Sequence, residues 1–374
     1  MVAKKKKKPK ARIPKVEPEV TQRQAAAVER RTFDIASSRA QQRELVDTIE
    51  RLRDSKLIVM VLKEGASLVD GICRPLYQQL RKLGKQERLD VFLSSRGGRT
   101  EVPLKVVTLL RSFGTRIAAL IPYRAHSAAT HIAIGANEIV MGDLSELSPV
   151  DPRRRHPLLP PNPREPDKPL SISVQDLRHC MQFIKKEAEG DLTPEGMVAV
   201  YGALFDKVHP LAVGAIEQSY DLSKQVTRKI LQTRMDPKKD KERIEKLANV
   251  LGDHYKSHVL QIGWREAEDF LGLNITYDDG ELYEAMIRLL DLYEETFQAE
   301  RTMDIEIAGQ TARGLSRPVI WLDTSASTYW CEELFQRKVT KEGIQENIIG
   351  HRWAGGDWPP HPSQEPLGEE GSQS

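Results

Sequence analysis

Hydrophobic positions change their period near residue 55. From Thr21 to Arg53 the apolar residues Ala27, Val28, Ile35, Leu45, Val46, Ile49 and Leu52 recur at helical spacing among many charges, which predicts an amphipathic helical lead-in. Lys56–Leu62 is short, β-branched and almost continuously apolar, the pattern of a strand covered on both faces of a parallel sheet. The alternation then repeats: a helix over 68–83, a strand Arg88–Leu93, a helix Val102–Phe113, a strand Arg116–Pro122, a helix His131–Ala136 and a strand Glu138–Met141. Strands and helices alternating at this spacing predict βαβ crossovers and a mainly parallel sheet, with a ligand site beyond the carboxyl ends of its strands.

Two loops fall at that edge, Gly97–Gly98 after one strand and Ala125–Ala128 after the next. Eight prolines between Pro149 and Pro169 predict an extended loop bordering the site, neither helix nor central strand. From Val174 to about Glu300 the period is helical throughout, and Arg317–Asp323 suggests one further strand. The organisation expected is a basic arm 1–20, an α/β core with its lead-in over 21–173, a helical region 174–300, a small α/β C-terminal extension 301–358 and a disordered tail 359–374.

Composition narrows the class. With 39% hydrophobic, 29% charged and 6% aromatic residues, the chain reads as soluble and globular. Its three cysteines, Cys73, Cys180 and Cys331, have neither disulfide-framework nor metal-ligand spacing, so a reducing, cytoplasmic setting is expected. No apolar run approaches the roughly 18 residues of a membrane span, and no apolar segment follows the N-terminal lysines. Charge is balanced, 56 basic against 54 acidic residues, but the first twenty residues hold eight basic and two acidic ones. Such an arm cannot bury apolar area, and Lys4–Lys15 is a candidate contact for nucleic acid or an anionic surface. His254 and His258 share a helix face but lack a third ligand, and no phosphate-binding glycine loop is present, so neither metal, cofactor nor ATP is expected.

Candidate chemistry centres on Ser127. A serine opening a helix after a buried strand, flanked by Ala125, Ala128 and Ala129, can present its hydroxyl uncovered. Acyl transfer needs that hydroxyl, a base and backbone donors for the developing oxyanion, which Gly97 and Gly98 can supply. Either feature alone also suits plain helix–strand packing or a plain turn. Their order is more specific: strand, Gly-Gly, helix, strand, Ala125–Ala128, helix, Glu138–Met141 and then Leu147–Pro152 resembles the Clp protease and crotonase superfamily. Within it the chain is most similar to the serine dehydrogenase proteinase family, relatives of signal peptide peptidase A. Ser127–Thr130, Glu138–Met141 and Leu147–Pro152 match that family's motifs in relative position, as do His209–Gly214 and Leu271–Leu273 in the helical half.

The resemblance spans roughly Leu45 to Thr276. It implies an α/β fold with a Clp protease/crotonase-like βαβ spiral core and a largely α-helical C-terminal half. It further implies an ATP-independent serine peptidase acting on a peptide or protein substrate, a homo-oligomer, Ser127 as nucleophile, and Gly97, Gly98 and Ala128 as amide donors. Ser94–Arg96 and Ala129 depart from the family's His-Thr-Pro and glycine at those positions. For the base, Lys168 lies 41 residues after Ser127, a separation similar to that in serine–lysine relatives, and His156 is the alternative. Adjacent Asp167 favours the ammonium form of Lys168, which opposes that role. Arg96, Arg99, Arg124 and Arg153–Arg155 would favour an anionic ligand at the mouth. Two further readings share the fold: a catalytically inactive scaffold for a protein or nucleic acid partner, and a crotonase-type acyl-coenzyme A enzyme. The latter is disfavoured by a serine where those enzymes rely on oxyanion amides and carboxylates.

Overall fold

The lead-in forms helix α1 (Ile35–Arg53), which turns through Asp54 and Ser55 into β1 (Lys56–Leu62), buried from Leu57 onward. The computed structural model describes residues 35–187, 193–255, 257, 260–307, 310–340 and 343–356. The basic arm, the start of the lead-in, His258 and the tail 359–374 lie outside the described residues. The expected alternation follows as α2 (Cys73–Leu83), β2 (Gln86–Ser94), α3 (Val102–Phe113), β3 (Gly114–Ile121), a two-residue β4 (Arg124–Ala125), α4 (Ala128–Ile134) and β5 (Glu138–Met141). β1, β2, β3 and β5 lie side by side and parallel.

β6 (Glu146–Leu147) pairs with β4 away from this sheet. The proline-rich segment makes β7 (Arg153–Arg155), β8 (Pro161–Asn162), β9 (Glu165–Pro169) and β10 (Ser171–Ser173), joined as two small ribbons, β7 with β10 and β8 with β9. Residues without an N–H cannot serve a central ladder, which keeps this segment off the main sheet. Helices α5 (Val174–Glu187), α6 (Pro194–Phe205), α7 (Pro210–Leu231) and α8 (Lys241–Asn249) follow, then a π-helical turn Val250–His254, α9 (Trp264–Asp269), β11 (Ile275–Tyr277) and α10 (Glu281–Thr296). β11 extends the sheet beside β5, in parallel.

The last segment differs from the expected small α/β extension. Over its described residues it is four antiparallel strands without a helix: β12 (Arg301–Ile307), β13 (Gln310–Thr324), β14 (Thr328–Thr340) and β15 (Gly343–Gly356). β13 joins the main sheet directly, Ile58 facing Thr324 and Leu62 facing Ile320, so the strand order is β11-β5-β3-β2-β1-β13-β14-β15, with β12 beside the first half of β13. The fold is mixed α/β on a mixed central sheet. Alternation in β13 is broken by a register shift at Pro318, and β14 and β15 carry paired charges such as Arg352 with Glu332, which hides the period of two.

Both sheet faces are covered. Ile58, Met60 and Leu62 of β1 point into the core beneath α2, α3 and α4, while Leu57, Val59 and Val61 point into the core under α1 and α10. Each such side chain contributes about 1.5–3 kcal/mol when fully buried. One buried ion pair ties α1 to the C-terminal strands: Arg39 Nη2 lies 2.8 Å from Asp323 Oδ2 with both side chains wholly inaccessible. Arg39 also donates to Thr328 Oγ1 at 2.9 Å and lies 4.2 Å from the Trp321 ring centroid, and Asp323 accepts from the Tyr293 and Thr328 hydroxyls. Removing one partner strands a buried charge, so Arg39→Met is expected to cost about 3–5 kcal/mol in urea unfolding, and Arg39→Met with Asp323→Leu to recover much of that loss.

Candidate active site

At the carboxyl ends of β2 and β3 two loops are stitched together. Ser95 N donates to Arg124 O at 2.9 Å and His126 N to Ser95 O at 3.0 Å. Leu68 N donates to Gly97 O at 2.8 Å and Arg99 N to Leu68 O at 2.9 Å, which fixes the Gly97–Gly98 peptide beside the Ser127 turn. Ser127 has φ 51° and ψ −113°, a backbone state costing on the order of 1–3 kcal/mol for a residue with a side chain. Its amide donates to Ser148 Oγ at 2.8 Å and its carbonyl accepts from His131 N at 3.2 Å, so both ends of the residue are held. Thr130 Oγ1 donates to Ala125 O at 2.7 Å, closing the turn. Ala128, Ala129 and Thr130 are buried, whereas Ser127 is half-buried at the rim and does not use its hydroxyl to cap α4.

The two glycines have separate duties. Gly97 has φ 98°, and a Cβ there would fall 2.7 Å from His126 O and 2.9 Å from both Ala128 N and Ser127 Cβ. Only glycine lets the two loops approach so closely. A Cβ on Gly98 would meet Leu68 N at 2.3 Å. The Gly97 amide, expected as a donor, is taken up by Ser95 Oγ at 3.0 Å. The amides of Gly98 and Ala128 have no acceptor among the described residues.

The structure does not link either expected base to Ser127. Lys168 sits on β9, 53% exposed, with Nζ 2.7 Å from Glu165 Oε1. This hydrogen bond holds the Glu165 carboxyl below its usual range. Lys168 lines an open cleft of about 1140 Å³ with Arg164, Arg313, Gly314 and Arg337, and the Ser127 turn is not part of that lining. His156 is half-buried, its Nδ1 accepting from Leu158 N at 3.2 Å.

Other titratable side chains near the Ser127 turn in sequence have partners of their own. His126 Nε2 lies 2.9 Å from Glu146 Oε1, and Arg124 Nε 3.0 Å from the same oxygen. Burial lowers the His126 pKa and Glu146 opposes that shift. His131 is wholly buried with Nε2 2.8 Å from Thr227 Oγ1 of α7, and burial pushes it down to about 4. Asp151, inside the Leu147–Pro152 motif, is buried and pushed up to about 6. Ser148 of the same motif, which holds the Ser127 amide, was within reach of the sequence because the motif itself was visible. The arginines expected to draw an anion are mostly paired. Arg96 meets Glu64 at 2.8 Å, Arg99 meets Glu101 at 2.6 Å, Arg153 meets Asp176 at 3.2 Å and Arg155 meets Glu165 at 3.4 Å, while Arg154 donates to Ser219 Oγ at 2.8 Å. Among the described residues no three His, Cys, Asp or Glu side chains converge as metal ligands, and no helix is long and apolar enough to cross a membrane.

No protein-family model matches this chain, and no curated protein does. Among solved structures, a mutant of a membrane-bound stomatin-specific protease in complex with a substrate peptide is similar over 65% of this chain and 78% of that one, at 12% identity and a TM-score of 0.33. A similarity that slight carries no residue role from one chain to the other.

Two predictions follow from this geometry. Gly97→Ala is expected to destabilise more than Gly84→Ala in thermal unfolding, because both have positive φ but nothing lies within 4 Å of a Cβ at Gly84. The second concerns pH. The folded pKa of His131 is lowered, so the stability its neutral form permits is complete above about pH 6.5 and is lost toward pH 4, on the order of 3 kcal/mol. Asp151 acts in the opposite sense, its raised pKa favouring the folded state as pH falls below about 6. Urea titrations are therefore expected to show His131→Gln losing less stability between pH 6.5 and 4 than the wild type, and Asp151→Asn losing more.

Proposed function

We propose that the chain is an ATP-independent serine peptidase built on a Clp/crotonase-like core, with Ser127 as nucleophile. One observation supports this reading: Ser127 keeps a positive φ at the turn packed against Gly97, and the amides of Gly98 and Ala128 have no acceptor among the described residues. A strained serine at a strand-to-helix turn is a costly way to fill space and an effective way to present an oxygen. In the reaction Ser127 Oγ attacks the peptide carbonyl carbon as its proton passes to a base. The carbonyl oxygen becomes an oxyanion between the two amides, the base returns the proton to the leaving amine, and water releases the acyl group.

Lys168 is the base in this proposal, with His156 the alternative. Reaching Ser127 requires the proline-rich segment to close over the rim and Lys168 to leave Glu165. Closure would strip water from the ammonium, which favours its neutral, basic form. A second reading, an inactive scaffold that binds a partner, is favoured by the lack of any base hydrogen-bonded to the Ser127 hydroxyl among the described residues.

A fluorophosphonate probe separates the two. The peptidase reading expects wild-type labelling at Ser127 and none in Ser127→Ala; a wild type that stays unlabelled leaves the scaffold. Lys168→Met is expected to lower peptide hydrolysis by about 10²–10⁴-fold, as loss of a general base does. His156→Ala should stay within a few-fold of wild type, and Glu165→Ala should raise the rate by freeing Lys168. The reverse ranking of Lys168→Met and His156→Ala would assign the base to His156.

A further inference from the structure

The cleft of about 1140 Å³ that Lys168 borders lies between the β8–β9 ribbon and the C-terminal strands β12 to β15. Its lining carries five cations, Arg164, Lys168, Arg313, Arg337 and Lys338, against three carboxylates, Glu165, Asp167 and Glu346. Some of these charges neutralise one another. Lys168 Nζ lies 2.7 Å from Glu165 Oε1, and Arg337 Nη2 lies 2.6 Å from Glu346 Oε1 and 2.6 Å from Glu300 Oε1. Arg164, Arg313 and Lys338 are exposed and have no ion pair among the described residues, nor has Asp167. Uncommitted charge in the cleft is therefore positive on balance. Around Ser127 the position differs, because Arg96, Arg99 and Arg124 are each paired with a glutamate.

Exposed cations need no ligand by themselves, so the rest of the lining decides what the cleft fits. Gln336 stands opposite Asn347 and Lys338 opposite Gln345, which puts these four on one face of the β14–β15 pair, and all four line the cleft. Each amide side chain offers both a donor and an acceptor, as every peptide unit does, whereas the oxygens of a phosphodiester only accept. Among the described residues no aromatic side chain lines the cleft, so the bases of a single-stranded nucleic acid would find no ring to stack on. Carboxylates interspersed among the cations repel a backbone charged at every unit and accommodate a chain whose charges are spaced apart. We propose that this cleft binds an extended acidic peptide segment, its carboxylates paired with Arg164 and Lys338 and its backbone hydrogen-bonded to Gln336, Gln345 and Asn347. Such a segment has two sources: a separate protein, or residues 357–370 of this chain, which hold Asp357, Glu365, Glu369 and Glu370 and neither Lys nor Arg. The inference does not depend on the reading of Ser127.

The test is fluorescence anisotropy of a labelled peptide of alternating glutamate and serine, titrated with the full chain at about 50 mM salt, where screening is weak. A second full-length form, with Asp357→Asn, Glu365→Gln, Glu369→Gln and Glu370→Gln, distinguishes the sources. Binding by the wild type assigns the cleft to a separate acidic protein; binding only after the four neutralisations assigns it to this chain's own segment. In whichever form binds, Arg164→Glu plus Lys338→Glu is expected to weaken the peptide about tenfold or more, the scale of lost hydrogen bonds to charged groups. Gln336→Ala plus Asn347→Ala leaves the charge unaltered and is expected to weaken it about threefold to tenfold. Lys238→Glu plus Lys239→Glu makes the same change of charge at exposed residues outside the cleft and should stay within about twofold. No binding by either form would overturn the proposal, as would unaltered affinity in either cleft variant or an equal loss in the Lys238 and Lys239 variant. Tighter binding of an oligodeoxythymidylate than of the peptide would overturn it too, and would make the ligand a nucleic acid.

Discussion

The arrangement at the sheet edge rests on one constraint, the left-handed backbone of Ser127. A residue with a Cβ leaves that conformation unless its surroundings over-determine it. Here they do: the His126 amide donates to Ser95 O, the Ser127 amide to Ser148 Oγ, and the Ser127 carbonyl accepts from His131 N in the first turn of α4. The Gly97 backbone then closes the remaining side at a separation that admits no methyl group. The conformational cost is met by hydrogen bonds distributed over three segments, so no one bond bears it alone.

The helical half is bound into this arrangement. Ser223 Oγ of α7 donates to Val150 O at 2.6 Å, Thr227 of the same helix meets His131, and Arg234 Nε donates to Ile134 O at 2.8 Å. These contacts place α7 behind α4 and the Leu147–Pro152 segment. A boundary at 173/174 marks a change of secondary structure without marking a break in packing.

Sequence patterning reached the first half of the fold well because its strands are buried on both faces. Uninterrupted apolar runs such as Leu57–Leu62 admit few other readings at that length. It reached the two loops because glycine pairs and alanine-flanked serines are visible as letters, and because their order along the chain adds information that neither has alone. Of the C-terminal strands it reached the Arg317–Asp323 part of β13 and missed β12, β14 and β15. Residues such as Glu332, Glu333 and Arg337 are polar because they pair across strands, as Arg317 does with Glu333 at 2.6 Å, and a polar cross-strand pair looks like loop until its partner is known. The surroundings of Lys168 were equally hidden. Whether a lysine 41 residues away meets a serine depends on how a proline-rich ribbon folds back, and the local spacing of Lys168 says nothing about its pairing with Glu165.

The antiparallel pairing of β1 with β13 has a consequence for how this protein is made. Thr324, which Ile58 faces, emerges from the ribosome long after it. At the usual pace of roughly 5–20 residues per second, the interval between them is on the order of ten seconds to a minute. Throughout that time one flank of the nascent sheet has donors and acceptors without a mate, the state in which strands recruit strangers. Its sequential helices and strands can assemble as they appear, but the layer is sealed only by its most distant pairing. Shortening the chain from its C-terminal end would therefore unseal the middle of the sheet before it touched the Ser127 rim.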